Sequence, residues 1–354
     1  MIRLPHIFHK SPHPVGIAIG DAHIRAVQLS GTAANAAVVA TGQVDLPKAT
    51  FDAEGKADVE GLARLFENLF SAPSFGAFTT RDVVVNLPEG RSFVRLIHVA
   101  PMSDAELEAS VPFEAESYIP VPVEQVYLDW QRLSEVGGKV ALLLVASPKA
   151  YVDPILHALR QASLTPVAIE VESQGLARAL IAPGVKQTVL LADMKASATD
   201  LVMIENGGIQ FTSTLFVSGS QMTEAIAQGL QVSQKEAEEI KATVGFTNSE
   251  QYPNLKTILL PVLEGLAKEI QKVIVFHSQH STEKLNRFLL VGGSAGLAGL
   301  PEFFKERLVD YPDLEVSVGD PTVNIHLALP AHLHGVAALP YATALGLAMR
   351  GMII

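Results

Sequence analysis

Short apolar runs bounded by turn residues open the chain, and the same arrangement recurs near its middle. From Pro14 to Leu46 the pattern reads strand (VGIAIG), tight turn, strand (IRAVQLS), a turn at Gly31, and strand (AAVVATGQV). From Gln187 to Val217 it repeats: TVLLAD, TDLVMIE, an Asn206-Gly207-Gly208 turn, and IQFTSTLFV. Asn-Gly between apolar runs favours a hairpin because both residues tolerate positive φ. Two three-stranded meanders, each followed by helical pattern, predict two similar α/β lobes facing one another. The cleft between such lobes is the default ligand site.

Helical spacing fills the intervals. Leu62, Leu65, Phe66 and Leu69 form one apolar stripe, and Leu263, Leu266, Ile270, Val273 and Ile274 form another, both expected as core faces. Ser103 with Glu106 and Ser233 with Glu236 have capping-box spacing, which predicts helix starts at each. Between Asp82 and Pro166 the pattern reads strand, strand, helix, strand, strand, helix, a small α/β insert in the first lobe. Pro112 should kink or split the first helix of that insert, because it lacks an amide donor and crowds the preceding turn. The expected division is a first lobe of residues 1–81 and 167–185, an insert of 82–166, and a second lobe of 186–354.

Composition narrows the chemistry. The 354 residues carry 26 basic and 37 acidic side chains, a net charge of -11, and lack a Lys/Arg-rich run, so generic nucleic-acid binding is not expected. The absence of cysteine removes disulfides, thiol nucleophiles and Cys-based metal centres, and suits a cytoplasmic protein. No apolar run approaches the length of about 20 residues that crosses a bilayer. The leader MIRLPHIFHKSPHP does not read as a signal peptide; its Ile2, Leu4, Ile7 and Phe8 are expected to pack on their own domain. His6, His9 and His13, and His326, His332 and His334, are too loosely spaced for a metal site and read as solvated loop residues.

VGIAIGDAHIRAVQLS, VAPMSDAELEASVPFEAESYIPVP, EVESQGLARAL, FVSGSQMTEAIAQGL, KEAEEIKATVGF, FLLVGGSAGLAGL and the terminal TALGLAMRG occur in an order that resembles the PilM family, actin-like type IV pilus assembly proteins. The resemblance runs from Val15 to Arg350, and its most specific block is Pro101 to Pro120. It implies a two-lobed actin-like (ribonuclease H-like) α/β fold related to FtsA, in which two hairpins grip ATP with magnesium. It assigns no catalytic residue and no metal ligand here. On the nucleotide side it points to Gly20, Arg25, Asp193, Ser197, Glu238, Lys241, Gly292, Gly293 and Ser294.

Against that pattern the hairpins depart. Where the family has an acidic residue this chain has Ala18, which cannot organise magnesium directly or through water. Arg25 keeps the basic charge expected to face phosphate, while Asp21 is expected to repel it. Lys195 stands where the family has glycine, and either blocks the γ-phosphate region or supplies an ammonium, blocking being the expectation on steric grounds. Glu238 and Lys241 match the family's ribose and adenine contacts; read alone, they are an i,i+3 ion pair on a solvated helix face. Glu170, Glu172 and Gln174 fall near the superfamily's water-positioning residue without an assigned role.

The resemblance implies a cytoplasmic scaffold at the inner face of the inner membrane. In the family, insert and first lobe form a groove for the short cytoplasmic N-terminal segment of PilN, an inner-membrane partner. Phe113, Tyr118 and Ile119 are the candidate partner-binding residues, with packing of the insert on the first lobe as the other reading. ATP binding is expected to be weak or absent, and magnesium doubtful. The competing functions are an active actin-like ATPase and an FtsA-like membrane-associated division scaffold.

Overall fold

The computed structural model describes residues 11–52, 55–136, 138–326 and 329–352. The leader's Ile2, Leu4, Ile7 and Phe8, with His6 and His9, lie outside them. The first meander is β1 (Val15–Ile19), β2 (His23–Ser30) and β3 (Ala37–Asp45). α1 (Val59–Ser71) follows, opened by the Asp58 carboxylate accepting from the Gly61 amide; it buries Leu62, Phe66 and Leu69, with Leu65 partly buried. After β4 (Phe75–Gly76) and β5 (Asp82–Leu87), β6 (Phe93–Val99), α2 (Asp104–Ala115), β7 (Val126–Val136) and β8 (Lys139–Pro148) form a separate unit with strand order β6-β8-β7. α3 (Lys149–Gln161), β9 (Thr165–Val171) and α4 (Glu172–Leu180) lead back to the first sheet, ordered β4-β3-β2-β1-β5-β9.

The second lobe repeats the plan. It contains β10 (Thr188–Met194), β11 (Thr199–Glu205), β12 (Gly208–Leu215), α5 (Gly219–Leu230), α6 (Gln234–Val244), α7 (Leu255–His280), β13 (Leu285–Val291), α8 (Leu300–Arg307) and β14 (Glu315–Val318). Its sheet order is β12-β11-β10-β13-β14. In both sheets an antiparallel meander is extended by two parallel strands on the side of its first strand. α7 buries Leu263, Leu266, Ile270 and Ile274, while Val273 is only half-buried at the edge of the stripe.

The observed sheets redraw two expected boundaries. β5 pairs in parallel with β1 and with β9, so the run DVVVNL, placed in the insert by its position in the sequence, belongs to the first sheet. It is continuously apolar because central parallel strands are covered on both faces. The unit standing apart is therefore β6 to β8 with α2. Its own core includes Ile97, Leu107, Val111, Leu142 and Leu144, whereas the alternate β8 residues Leu143 and Val145 face the main core. Such two-sided burial explains why KVALLLVAS shows no polar alternation. At the other end of the chain, α9 (Ala342–Ala348) leaves the expected second lobe and packs against β1, β2 and α4. A Cβ on Gly16 would overlap Ala344 O, and one on Gly346 would overlap Gly175 O, so small residues permit this backbone-to-backbone approach.

Pro112 neither splits nor ends its helix. α2 runs on to Ala115, and the capping box at Ser103 and Glu106 closes its start. At Ser233 the side chain accepts from the Glu236 amide.

Candidate functional site

The two hairpins β1-β2 and β10-β11 meet across the cleft, and the second carries Lys195 at its turn. The Lys195 ammonium donates to Glu172 Oε2 of α4 at 2.9 Å and to Asp200 Oδ2 of β11. The remaining oxygens of both acids are also engaged: Thr343 Oγ1 donates to Glu172 Oε1 at 3.3 Å, and Thr214 Oγ1 to Asp200 Oδ1 at 2.6 Å. Burial alone would depress the ammonium, but the charges of Glu172, Asp200 and Asp193 outweigh it and raise Lys195 well above its ordinary value. Asp193 is buried beside them, and desolvation, reinforced by the Glu172 charge, pushes its carboxyl well up. Glu172 is raised by burial, with Lys195 opposing.

Asp21 carries out a different task from the expected repulsion. Its Oδ2 accepts the Ser197 backbone amide at 2.8 Å, joining the tip of the first hairpin to the tip of the second. Asn86 of β5 braces the first hairpin from behind, accepting from Ile19 N at 2.7 Å and donating to Ile19 O at 3.2 Å. Gly20 N is bonded to His23 O. Arg25 does not face the cleft centre. Opposite Ala18 in the β1-β2 register, it donates to Gln43 Oε1 at 2.8 Å, and its guanidinium lies over the Tyr341 ring at 5.6 Å.

The loop and helix expected on the nucleoside side are internally satisfied. Lys241 is buried and donates to Gly219 O at 3.1 Å, Thr223 Oγ1 at 2.8 Å and Glu238 Oε2 at 2.8 Å, which uses the three donors of an ammonium. The pair is thus no solvated ion pair: only Glu238 is exposed. Gly292 has φ 83°, and a Cβ there would meet Asp193 Oδ1 and the Met194 backbone; Ser294 N bonds Met194 O at 3.1 Å. Gly293 alone of this loop faces open space. The first amides of α5 are spent as well, Gly219 N on Lys195 O and Ser220 N on Ala196 O, with Gln221 N on Ser218 Oγ.

Asp193, Ser197, Gly20, Glu238, Lys241, Gly292 and Ser294 therefore converge, Arg25 does not, and the convergence does not fit magnesium and polyphosphate. A hydrated divalent cation needs free, ionised carboxylate oxygens, yet those of Glu172 and Asp200 are taken by protein donors, Ala18 offers none, and burial pushes the Asp193 carboxyl toward its neutral form. Among the described residues no three His, Asp or Glu side chains are arranged to hold a metal ion. A phosphate cradle needs free amides, and the Ser197, Gly219 and Ser220 amides are bonded to protein oxygens.

Glu170 is structural. Its carboxylate is held by Arg178 at 2.9 and 3.1 Å and by Arg350, and Arg178 also donates to Gly346 O at 2.6 Å, which ties the C-terminal segment to β9 and α4. Of the histidines, His332 departs from a solvated loop residue: Nε2 lies 2.8 Å from Thr41 Oγ1 of β3. Sequence reasoning missed Glu89, buried in a single 3-10 turn (Glu89–Arg91), whose Oε1 accepts from Ser173 N at 2.9 Å. It also missed Asp200 as the partner of Lys195. The available signal was a charged residue inside an otherwise apolar strand.

On the insert, Phe113 and Tyr118 are exposed, at 74% and 45%, while Ile119 is buried in the insert's own core, where it anchors the turn leaving α2. A separate cavity of ≈ 440 Å³ lies where the insert joins the first lobe, walled by Phe93, Pro148 and Tyr151 and rimmed by Asp52, Lys56 and Arg91.

A family model described as type IV pilus assembly protein PilM matches residues 16–352. Among solved structures the chain is similar to the PilM-PilN type IV pilus biogenesis complex, with 28% identity, a TM-score of 0.81, and coverage of 98% of this chain and 100% of that one. It is also similar to the ethanolamine utilization protein EutJ from Carboxydothermus hydrogenoformans, at 17% identity and TM-score 0.58 over 98% of this chain and 94% of that one. For MreB5 of Spiroplasma citri bound to AMPPNP the values are 14% and 0.52, over 94% of each chain. These last two likenesses show the actin-like fold alone.

Proposed function

The chain belongs to the family of the type IV pilus assembly protein PilM, and from that premise we propose that it is a cytoplasmic actin-like adaptor that receives the cytoplasmic N-terminal segment of a PilN-like inner-membrane protein. The observation carrying this reading is the ≈ 440 Å³ cavity between first lobe and insert. Phe93, Pro148 and Tyr151 offer apolar walls for one or two side chains of an extended peptide, and the exposed Lys56 at the rim offers a donor for its backbone. Nucleotide plays a weak part or none, and hydrolysis is impaired, because the groups that would hold phosphate and metal are bonded to one another. Among the described residues no helix is long and apolar enough to cross a membrane; the adaptor is held at the inner face of the inner membrane through its partner. Phe113 and Tyr118 present a second, outer surface of the insert.

The test is a calorimetric titration of the partner's cytoplasmic N-terminal peptide into wild type, Phe93→Ala, Lys56→Glu and Tyr118→Ala, with thermal unfolding measured alongside. Both Phe93→Ala and Lys56→Glu should weaken binding about tenfold or more, as expected of contacts central to an interface; Lys56→Glu, at an exposed residue, should do so at unchanged stability, whereas Phe93→Ala also gives up packing on the insert's core. Undiminished binding in both, with loss in Tyr118→Ala, would move the contact to the outer surface. Failure of wild type to bind would remove the adaptor reading.

A further inference from the structure

In an actin-like fold the nucleotide and its metal occupy the space between the facing hairpins, so the ligand itself bridges the lobes. Here the bridge is made of side chains. We propose that Lys195 is a resident cation: its ammonium occupies the charge position of a bound metal, and the cleft is held closed without nucleotide or divalent ion. The proposal is independent of what the groove binds.

Among the links between the lobes, these lie at or beside the hairpins. Lys195 of the second lobe donates to Glu172 of the first at 2.9 Å, with the lysine side chain only 16% exposed. Asp21 of the first hairpin accepts the Ser197 amide of the second at 2.8 Å. The Glu89–Arg91 turn after β5 lies beside β12, the strand whose Thr214 hydroxyl holds Asp200. The carboxylate oxygens not used by Lys195 are filled by Thr343 and Thr214. The ammonium is therefore held by two acids, one from each lobe, whose other oxygens are already engaged, unlike a surface lysine that has folded onto the nearest acid.

The electrostatics point the same way. Glu172, Asp193 and Asp200 gather around the Lys195 ammonium; burial raises the Asp193 and Glu172 carboxyls, while the three acids together hold the ammonium in its charged form. Without the ammonium the link that joins Glu172 to Asp200 across the cleft is gone, and the buried Glu172 carboxyl would take up a proton in place of its partner. Lysine suits this position because it brings its charge covalently and owes nothing to ligand concentration.

The experiment compares wild type, Lys195→Met and Asp21→Asn by thermal unfolding, small-angle X-ray scattering and hydrogen exchange, each with and without magnesium and ATPγS. Wild type should show the same melting temperature and radius of gyration with and without magnesium-ATPγS. Lys195→Met should melt roughly 5 °C lower or more, with a larger radius of gyration. Asp21→Asn, a change at an exposed position, should speed exchange of the Ser197 amide about tenfold, as loss of a charge-assisted bond implies. Should Lys195→Met fail to fold, Asp21→Asn decides alone: faster exchange supports the proposal and unchanged exchange overturns it. The proposal is also overturned if magnesium-ATPγS stabilises and compacts wild type, or if Lys195→Met keeps its radius of gyration.

Discussion

Lys195 and Glu172 form an ion pair across the cleft, Nζ to Oε2 at 2.9 Å, and through it α4 of the first lobe is fastened to the turn of the second-lobe hairpin. The glycine-to-lysine departure in that turn is therefore more than obstruction. It delivers a charge to the point where the acids of both lobes converge, and the Asp21 carboxylate seals the neighbouring amide.

Restoring the family residues should reopen the site. Ala18→Asp combined with Lys195→Gly places an acid on β1 and removes both the side chain and its charge. Magnesium-dependent ATP binding, read by calorimetry, should rise at least tenfold over wild type. No gain would place the obstruction in the Asp21 to Ser197 seal instead.

Glu89 makes the fold sensitive to pH. Burial pushes its carboxyl up to about 7, with the Ser173 contacts opposing, and Oε2 has no partner at hydrogen-bonding distance. A raised folded-state value means that the folded protein prefers the protonated acid. This contribution is fully present below the ordinary glutamate range and is lost as pH rises through about 7. Glu89→Gln, which keeps shape without the charge, should flatten that slope and stabilise the protein at pH 8 by an amount on the order of 3 kcal/mol. Urea denaturation at pH 5, 6, 7 and 8 measures it; parallel curves for both proteins would refute the assignment.

The close crossing of α9 on α4 should tolerate no side chain at Gly346. Gly346→Val forces a branched group against Gly175 O and should cost about 2–3 kcal/mol in urea denaturation. A cost below about 0.5 kcal/mol, the range of ordinary surface changes, would show that the C-terminal helix is not docked there.

Within α7, Leu266→Ala should cost about 2–5 kcal/mol because the side chain is fully buried. Val275→Ala, at 43% exposure on the same helix, should stay within about 0.5 kcal/mol. Equal costs would contradict the orientation of the helix.

Much of the frame can be read from local pattern. The two meanders announce themselves because each strand is a short apolar run closed by turn residues, and the stripe from Leu263 to Ile274 states its period. What escaped is long-range. DVVVNL has no local mark that tells a sheet strand from an insert strand, and its pairing with β1 and β9 is settled only by the tertiary fold. TALGLAMRG looks like the end of a lobe, while its small residues are there to approach the backbone of the other. In the site, the departures at Ala18 and Lys195 were visible, but the partners of Lys195 were not, because Glu172 and Asp200 reach it from different elements. Arg25 misled because strand alternation on β2 directs it to Gln43 and Tyr341.

The central claim, an adaptor that works with a self-closed cleft, is tested most directly by titrating the partner's cytoplasmic N-terminal peptide into wild type twice. One titration is run in EDTA without nucleotide and the other in saturating magnesium-ATP. The same Kd within a factor of about two in both is the result this account predicts, since a closure that already exists leaves the nucleotide nothing to add. Binding that appears only with magnesium-ATP, or tightens tenfold with it, would contradict the account.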